Sequence, residues 1–286
     1  GRSDWILDNL GPLRQLTPAI AEAAHHLYRP QRAVRSGGRG GFGFGRAEAG
    51  PEYPPAGAMI GYTLKQAPSG PLKLEILDSR GQVIGAFSST DRPPARGRGG
   101  FGPPPARLLA SAGMHRFYWD LRYPGPWESA RQPQGPNGPM AVPGQYQVRL
   151  SADGWSETQP LTLIEDPRVT ASGVTTTDLL QQFQHNLRAR DLVSRVNRLV
   201  ARLRAAEQDL PAGVDPAGIK ALAAQLITPA IRYSKPELQT NITYLYSMTN
   251  NSDQKVGQDA YARYQVLTAD LARIENQANA LLGPAR

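Results

Sequence analysis

The chain has 286 residues, of which 40% are hydrophobic and 20% charged, and it contains no cysteine. This composition is typical of folded domains and excludes disulfides and cysteine-bound metals, while the length suits two hydrophobic cores. Lys and Arg outnumber Asp and Glu by 32 to 24, but the excess lies mainly in the first 110 residues, so the charge is weak evidence for a nucleic-acid partner. No apolar run approaches the roughly 20 residues of a membrane-spanning helix.

The first eight residues, GRSDWILD, carry the pattern of a β-strand around Trp5, with no initiator Met and no signal peptide. We therefore expect residues 1–30 to close a sheet of upstream polypeptide and to connect it to the next domain. Residues 31–57 are predicted to form a loop rich in Gly, Arg and Pro, because glycine loses too much backbone entropy to order unaided.

Period-two alternation predicts about six short strands between residues 58 and 166. Turns are expected at residues 78–81 and 153–154, and six prolines between positions 124 and 143 predict a long loop without ladder pairing. The expected core face of these strands carries Tyr62, Leu64, Leu72, Leu74, Ile76, Phe117, Trp119, Tyr146, Val148 and Leu150. This pattern predicts an antiparallel β-sandwich of immunoglobulin-like size.

After residue 173 the hydrophobic period becomes helical. A capping box over residues 175–178 predicts the start of a long helix, and Asp215 with Pro216 predicts the cap and first turn of a second helix. A second box over residues 234–237 predicts a third helix, and a fourth is expected from about Gln258 to Leu282. Short connections between amphipathic helices predict an antiparallel bundle over residues 174–286, so the expected fold class is α+β.

Three segments carry a resemblance to a known family. The opening GRSDWILDNL resembles the closing strand of a β-propeller, and residues 113–124 (GMHRFYWDLRYP) and 141–150 (AVPGQYQVRL) are similar to a β-sandwich that follows such a propeller. Together they resemble the C-terminal region of secreted bacterial proteins with sortilin-like, Asp-box (BNR) β-propellers, a family labelled as glycosyl hydrolases. The resemblance covers nearly the whole chain and implies a secreted, periplasmic or cell-surface location with the upstream propeller as partner.

The same resemblance carries over no catalytic residue. The Asp-box pattern is not in the chain, and the arginine cluster, tyrosine nucleophile and acid of related propellers come from the blades. Glu165 and Asp166, directly before Pro167, are interpreted as a domain junction rather than as an acid–base pair. We expect no metal and no cofactor.

Two short repeats, Arg39-Gly-Gly-Phe42 and Arg98-Gly-Gly-Phe101, resemble RGG boxes, in which arginines meet phosphates and aromatic rings stack on bases. RNA-binding tracts of this kind are usually longer. We therefore favour a packing role, in which Phe42, Phe44 and Phe101 anchor the loops on a neighbouring surface.

Trp127 lies in the proline-rich loop and is the tryptophan that we expect to be exposed, where an indole face can stack on a sugar. Trp5, Trp119 and Trp155 lie in strand patterns and are expected to pack in the core. Adjacent residues on a helix point about 100° apart, so the pair at positions 25 and 26 is not expected to share a metal.

Arg188, Arg195 and Arg202 recur every seven residues on the first long helix. A phosphate-tracking face and a solvated charged face both fit this spacing, and the acidic Asp191 four residues before Arg195 favours the second.

These observations predict a non-catalytic docking and assembly region of a secreted propeller protein, with other surface or assembly proteins as further partners. One alternative is an accessory part of a glycan-active hydrolase, in which residues 39–46 and Trp127 shape the propeller rim. A second alternative, which we expect least, is RGG-type nucleic-acid binding. Whether the parent protein is an enzyme stays open.

Overall fold

The computed structural model describes residues 10–36, 57–91, 107–135 and 137–284. The predicted propeller strand around Trp5 lies outside these ranges. Five of the proposed binding residues also lie outside them, namely Arg39, Phe42, Phe44, Arg98 and Phe101. The structure therefore addresses Trp127 but not the two Gly/Arg/Phe repeats.

The chain divides into two compact units. Unit 1 comprises Gly1–Leu121 and Ala141–Thr170, and unit 2 comprises Arg122–Met140 and Ala171–Arg286. The proline-rich loop therefore groups with the helices, although in the sequence it lies between two strands.

Unit 1 is built mainly from β-strands. Its described elements are α1 (Gly11–Gln15), α2 (Pro18–Glu22), β1 (His25–Leu27), β2 (Ala33–Arg35), β3 (Ala58–Leu64), β4 (Lys73–Leu77), β5 (Val83–Ser88), β6 (Gly113–Trp119), β7 (Gly144–Ala152) and β8 (Trp155–Glu165). One sheet has the order β1-β3-β6 and is antiparallel, and the other has the order β2-β8-β7-β4-β5. The predicted strands and the turn at Asp153 and Gly154, both with positive φ, are confirmed.

The expectation of purely antiparallel pairing is wrong at one edge. Ala33 pairs with Leu163 and Arg35 with Glu165 in a parallel ladder between β2 and β8. Strand β2 also lies inside the segment predicted as loop, because three residues are too few for an alternation signal and the pairing is set by distant β8. Parallel strands need a long crossover, and here the chain between β2 and β8 includes most of unit 1.

Aromatic side chains of the two sheets pack against each other, and of these Phe87 is half-buried and the others are buried. The ring of Phe87 on β5 lies 4.7 Å from that of Phe117 on β6, and the ring of Trp119 on β6 lies 5.7 Å from that of Tyr146 on β7, measured between centroids. Phe117 and Trp119 are almost fully buried. Burying side chains of this size contributes about 1.5–3 kcal/mol each.

Unit 2 contains four longer helices. They are α4 (Thr176–Gln208), α5 (Pro216–Leu226), α6 (Leu238–Asn250) and α7 (Gln258–Leu282), preceded by the single turn α3 (Pro167–Ala171) that crosses from unit 1. The first capping box is confirmed, since Asp178 N–H donates to Thr175 Oγ1 at 3.1 Å and the Asp178 carboxylate accepts from Thr175 N–H at 2.9 Å. Apolar faces of all four helices form one buried core.

The second capping box is wrong. The Ser234 hydroxyl donates to the carbonyl of Pro229 at 2.9 Å and accepts no N–H of the helix, which begins four residues later at Leu238. The N–H of Glu237, the residue directly before the helix, instead donates to Thr228 Oγ1 at 2.9 Å. The hydroxyl of Thr228, at the start of the connection between α5 and α6, therefore accepts the hydrogen bond that the sequence assigned to Ser234.

Candidate functional site

The proline-rich segment of unit 2, residues 122–135 and 137–140, is here called the strap. Its Trp127 N–H donates to Ser194 Oγ at 2.9 Å, and its Trp127 carbonyl accepts from Asn197 Nδ2 at 2.8 Å. Ser194 and Asn197 are three residues apart, so both project from the same face of α4. The backbone of Trp127 is therefore fixed on both sides.

The other end of the strap is bound by α6. The carbonyl of Asn137 accepts from Tyr246 Oη at 2.7 Å and from Asn250 Nδ2 at 2.8 Å. Near the start, Arg190 donates to the carbonyl of Pro124 at 3.3 Å. Some strap carbonyls are paired within the strap, since Tyr123 N–H donates to the Pro139 carbonyl at 2.9 Å and Gly135 N–H to the Pro126 carbonyl at 2.7 Å. Proline has no N–H to donate, and the carbonyls of Pro124, Trp127 and Asn137 accept from these helix side chains.

The indole of Trp127 is half-buried, and the guanidinium of Arg198 lies 5.5 Å from its ring centroid. A cation over an indole at this distance contributes about 0.5–1 kcal/mol at an exposed site. A sugar could stack on that face only by displacing Arg198, because both would occupy the same side of the ring.

Three heptad-spaced arginines of α4 contact side chains of α7. Arg195 forms an ion pair with Glu275 at 2.6 Å, and Arg202 donates to Asn279 Oδ1 at 2.7 Å. The guanidinium of Arg188 lies 5.9 Å from the ring centroid of Tyr264. These contacts join α4 to α7 and support a structural role for the heptad-spaced arginines.

The adjacent histidines lie on strand β1 and not on a helix. Strand geometry turns their side chains to opposite faces. His26 Nδ1 lies 3.4 Å from Glu157 Oε2, while the ring of His25 packs 5.2 Å from that of Trp155, which is half-buried. Within the described ranges, no group of three or more His, Asp or Glu side chains could hold a metal ion.

His185 is a buried polar residue that sequence reasoning missed. It is fully buried on α4, with the rings of Tyr261 and Tyr264 of α7 at 5.1 and 5.9 Å, and neither ring nitrogen has a hydrogen-bond partner in the described chain. Burial lowers the pKa of His185, and the charge of Arg188 lowers the same pKa further. The sequence feature that could have indicated the burial of His185 is its position seven residues before the buried Leu192.

The turn between α5 and α6, residues 228–237, presents two large side chains to solvent. Ile231 is 74% exposed and Tyr233 is 90% exposed. Tyr233 has a φ of 66°, a left-handed conformation that costs a residue other than glycine about 1–2 kcal/mol. Arg232 lies 4.9 Å from the centroid of the Tyr233 ring.

Hydrogen bonds fix this turn. Ser234 N–H donates to the carbonyl of Ile231 at 3.1 Å, and Thr228 Oγ1 lies 2.7 Å from Thr240 Oγ1 of α6. Together with the Ser234 and Glu237 bonds described above, they hold the turn in one conformation. The exposed side chains are therefore presented by an ordered backbone.

No family model matches the chain, and comparison with curated proteins finds no match either. None of the helices in the described part of the chain is both long and apolar enough to cross a membrane. Conclusions about function therefore depend on the residues and contacts described above.

Proposed function

We propose that the chain is a non-catalytic docking and assembly region of a secreted β-propeller protein. In this proposal unit 1 is an immunoglobulin-like sandwich, and unit 2 carries the docking element. The observation that carries the docking role is the α5–α6 turn, because an ordered turn there holds Ile231 and Tyr233 in solvent.

The exposed side chains of Ile231 and Tyr233 do not stabilise the isolated chain, because they bury no apolar surface. The left-handed backbone of Tyr233 adds conformational strain. A preorganised turn lowers the entropy lost on binding, and Tyr and Arg are the residue types that contribute most at protein interfaces. The turn also carries Arg232 and Lys235, so a fitting partner has an apolar pocket for Tyr233 with carboxylates at its rim.

Two features support the family part of the proposal. The shared aromatic core of the two sheets in unit 1 fits a sandwich, and residues 113–124 and 141–150 supply two strands of it, β6 and β7. The secreted or cell-surface location and the upstream propeller follow from the resemblance of the sequence alone. The coding sequence before residue 1 tests this part, since repeated blades are expected there, and an initiator codon directly before Gly1 would contradict it.

The docking role is tested by site-specific photo-crosslinking in the intact protein. A photoreactive phenylalanine analogue at position 233 is expected to crosslink to defined residues of one partner, either the upstream propeller or another surface protein. Leu210, 47% exposed and outside the turn, is the matched control position. Equal crosslinking from positions 233 and 210 would show that the turn is ordinary surface.

Binding of the purified partner then provides the quantitative test. Tyr233→Ala is expected to weaken binding by at least tenfold, because truncating a central aromatic anchor costs about 2 kcal/mol or more. Leu210→Ala is expected to change binding less than twofold. Turnover of glycosidase substrates by purified residues 1–286 would contradict the non-catalytic assignment.

A further inference from the structure

The strap contains an asparagine that is chemically reactive because of the residue after it. Of the nine asparagines in the sequence, Asn137 is the one that a glycine follows. The backbone nitrogen after an asparagine can attack the side-chain amide carbon of that asparagine, and glycine has no side chain to hinder this attack. Asn137 is exposed, so water reaches its side-chain amide. These are the requirements for deamidation.

The conformation of the strap explains why these two residue types stand together. Asn137 has a φ of 61°, in the left-handed region that asparagine tolerates better than most residues. A Cβ atom at position 138 would overlap the carbonyl oxygen of Tyr123, so glycine is the residue that fits there. The carbonyl of Gly138 also accepts from Arg122 at 2.7 Å. The end of the strap therefore depends on both members of the reactive pair.

The same conformation prevents the reaction while the strap is bound. In the left-handed region the carbonyl oxygen of a residue lies close to its own Cβ, so the nitrogen of the next residue points away from that side chain. Ring closure therefore needs about half a turn around the Cα–C bond of Asn137. This rotation takes the Asn137 carbonyl away from Tyr246 Oη and Asn250 Nδ2, which donate to it at 2.7 and 2.8 Å. Both hydrogen bonds oppose the reaction.

We propose that Asn137 is a deamidation site that reacts when the end of the strap has left α6. In the released strap the Gly138 nitrogen attacks Cγ of Asn137. A C–N bond forms, the Cγ–Nδ2 bond breaks, and ammonia leaves with the proton of the Gly138 nitrogen. Water then opens the five-membered imide ring at either carbonyl and gives aspartate or isoaspartate. The net change replaces NH2 by OH and needs no oxidant or reductant.

Isoaspartate at position 137 prevents the strap from binding again. Its main chain runs through the former side-chain carbon and is one methylene longer, whereas Tyr246 and Asn250 are placed for the carbonyl of an ordinary residue. The contact between Gly138 and the Tyr123 carbonyl leaves no space to absorb the shift. Deamidation therefore makes release of the strap irreversible. This inference is independent of the α5–α6 turn.

The first experiment compares the native and the urea-unfolded chain in mildly alkaline buffer, with peptide mapping by mass spectrometry to measure the conversion of NH2 to OH at position 137. The native chain is expected to react at least tenfold more slowly, because two hydrogen bonds of about 1 kcal/mol each must first break. Equal rates in the two states would show that the bound strap does not protect Asn137 and would overturn the proposal.

Tyr246→Phe tests the role of α6 directly. The variant keeps the buried ring and removes the hydroxyl that donates to the Asn137 carbonyl. Deamidation of the native chain is expected to become about fivefold faster, which corresponds to about 1 kcal/mol for one hydrogen bond. Tyr244→Phe is the matched control, since Tyr244 lies on the same helix and is 63% exposed, and its rate is expected to equal that of the wild type. Equal rates in the two variants would contradict the proposal.

Asn251 distinguishes local release of the strap from unfolding of the whole unit. It is exposed at the end of α6 and is followed by a serine. Release of the strap accelerates the reaction at position 137 alone, whereas global unfolding accelerates it at both positions. Equal acceleration at positions 137 and 251 in the Tyr246→Phe chain would therefore reject control by the strap.

The consequence of the reaction is measured on the isoaspartate form, separated by chromatography from the unmodified full chain. Amide hydrogen exchange of the strap around Gly138 is expected to be faster in the isoaspartate form, because its strap stays released. Unchanged exchange there would show that the modified strap binds α6 again, which would overturn the irreversible step.

Discussion

At the scale of single residues, His185 is the group whose environment departs most from what its chemistry favours. Burial of the imidazole without hydrogen bonds, and the nearby charge of Arg188, lower the pKa of His185 and favour its neutral form. Its neighbours from α7 are the phenol rings of Tyr261 and Tyr264. The folded state therefore resists protonation at this position.

This resistance makes the stability of unit 2 depend on pH. As the pH falls below about 6.5, the ordinary pKa of histidine, the unfolded chain takes up a proton that the folded chain excludes. The contribution of His185 is thus fully present above pH 6.5, declines below it, and stops changing once the pH passes the lowered pKa of the folded state. The decline from this single proton is at most about 1.4 kcal/mol per pH unit.

Urea unfolding of unit 2 between pH 8 and pH 5 measures this effect. His185→Phe, which keeps an aromatic ring between the tyrosines, is expected to flatten the decline below pH 6.5. His115→Gln is the matched control, because His115 is not buried and its Nε2 already lies 2.7 Å from the carbonyl of Ser111. Parallel curves for the His185→Phe and wild-type chains would contradict the assignment.

At the scale of elements, the strap depends on side-chain donors from helices. Asn197→Ala removes the donor to the Trp127 carbonyl, and the net loss for one such hydrogen bond is about 1 kcal/mol. Faster amide hydrogen exchange is expected for the strap residues around Trp127, with little change in the core of α4. Asn276→Ala, an exposed asparagine on α7, is expected to leave strap exchange unchanged.

Comparable acceleration by the Asn197 and Asn276 variants would show that the strap is not held by this bond. An unchanged exchange rate around Trp127 in the Asn197→Ala chain would show that Ser194 and the Arg198 contact suffice. Either result would reduce the importance of the α4 face for positioning Trp127.

Sequence patterns predicted the elements whose information is local. The cap of α4 at Thr175, the start of α5 at Asp215 and the end of α7 before Gly283 all depend on residues within a few positions of one another. Alternation likewise predicted β3, β4 and β7. These features needed no knowledge of distant contacts, and so they were accessible from the sequence.

Features that depend on distant pairing were not accessible. Strand β2 exists because β8, about 130 positions later, offers an edge, as the pairing of Ala33 with Leu163 shows. The predicted capping role of Ser234 was wrong because the Thr228 hydroxyl accepts the hydrogen bond from the Glu237 N–H. At the candidate site, Trp127 was found from its composition and context, whereas Arg198 and the exposed Tyr233 required the three-dimensional structure.

At the scale of the whole molecule, the order of residues along the chain and their grouping in space differ. The chain leaves unit 1 at Leu121, contributes the strap to unit 2, and returns to unit 1 at Ala141. The base of this excursion is closed within unit 1, since Ala141 N–H donates to the Leu121 carbonyl at 2.7 Å. Unit 2 is therefore discontinuous in sequence, and the strap stabilises it from outside the helical segment.

Replacing residues 123–139 by a short Asn-Gly turn in the full chain separates these roles. The closing bond between Leu121 and Ala141 needs only a turn, so unit 1 is expected to keep its stability. Unit 2 loses the five strap bonds that involve Arg190, Ser194, Asn197, Tyr246 and Asn250, and at about 1 kcal/mol each the expected loss is about 5 kcal/mol.

Amide hydrogen exchange measures the protection of backbone N–H groups in each of the two units separately, in one sample. Protection is expected to fall in α4 and α6, whose side chains donate to the strap, and to stay unchanged in β7 and β8 of unit 1. A matched chain in which the replaced segment is instead a seventeen-residue Gly/Ser linker, of the same length by the numbering of the sequence, controls for loop closure. Equal loss of protection in the strands and the helices would show that residues 122–140 do not belong energetically to unit 2.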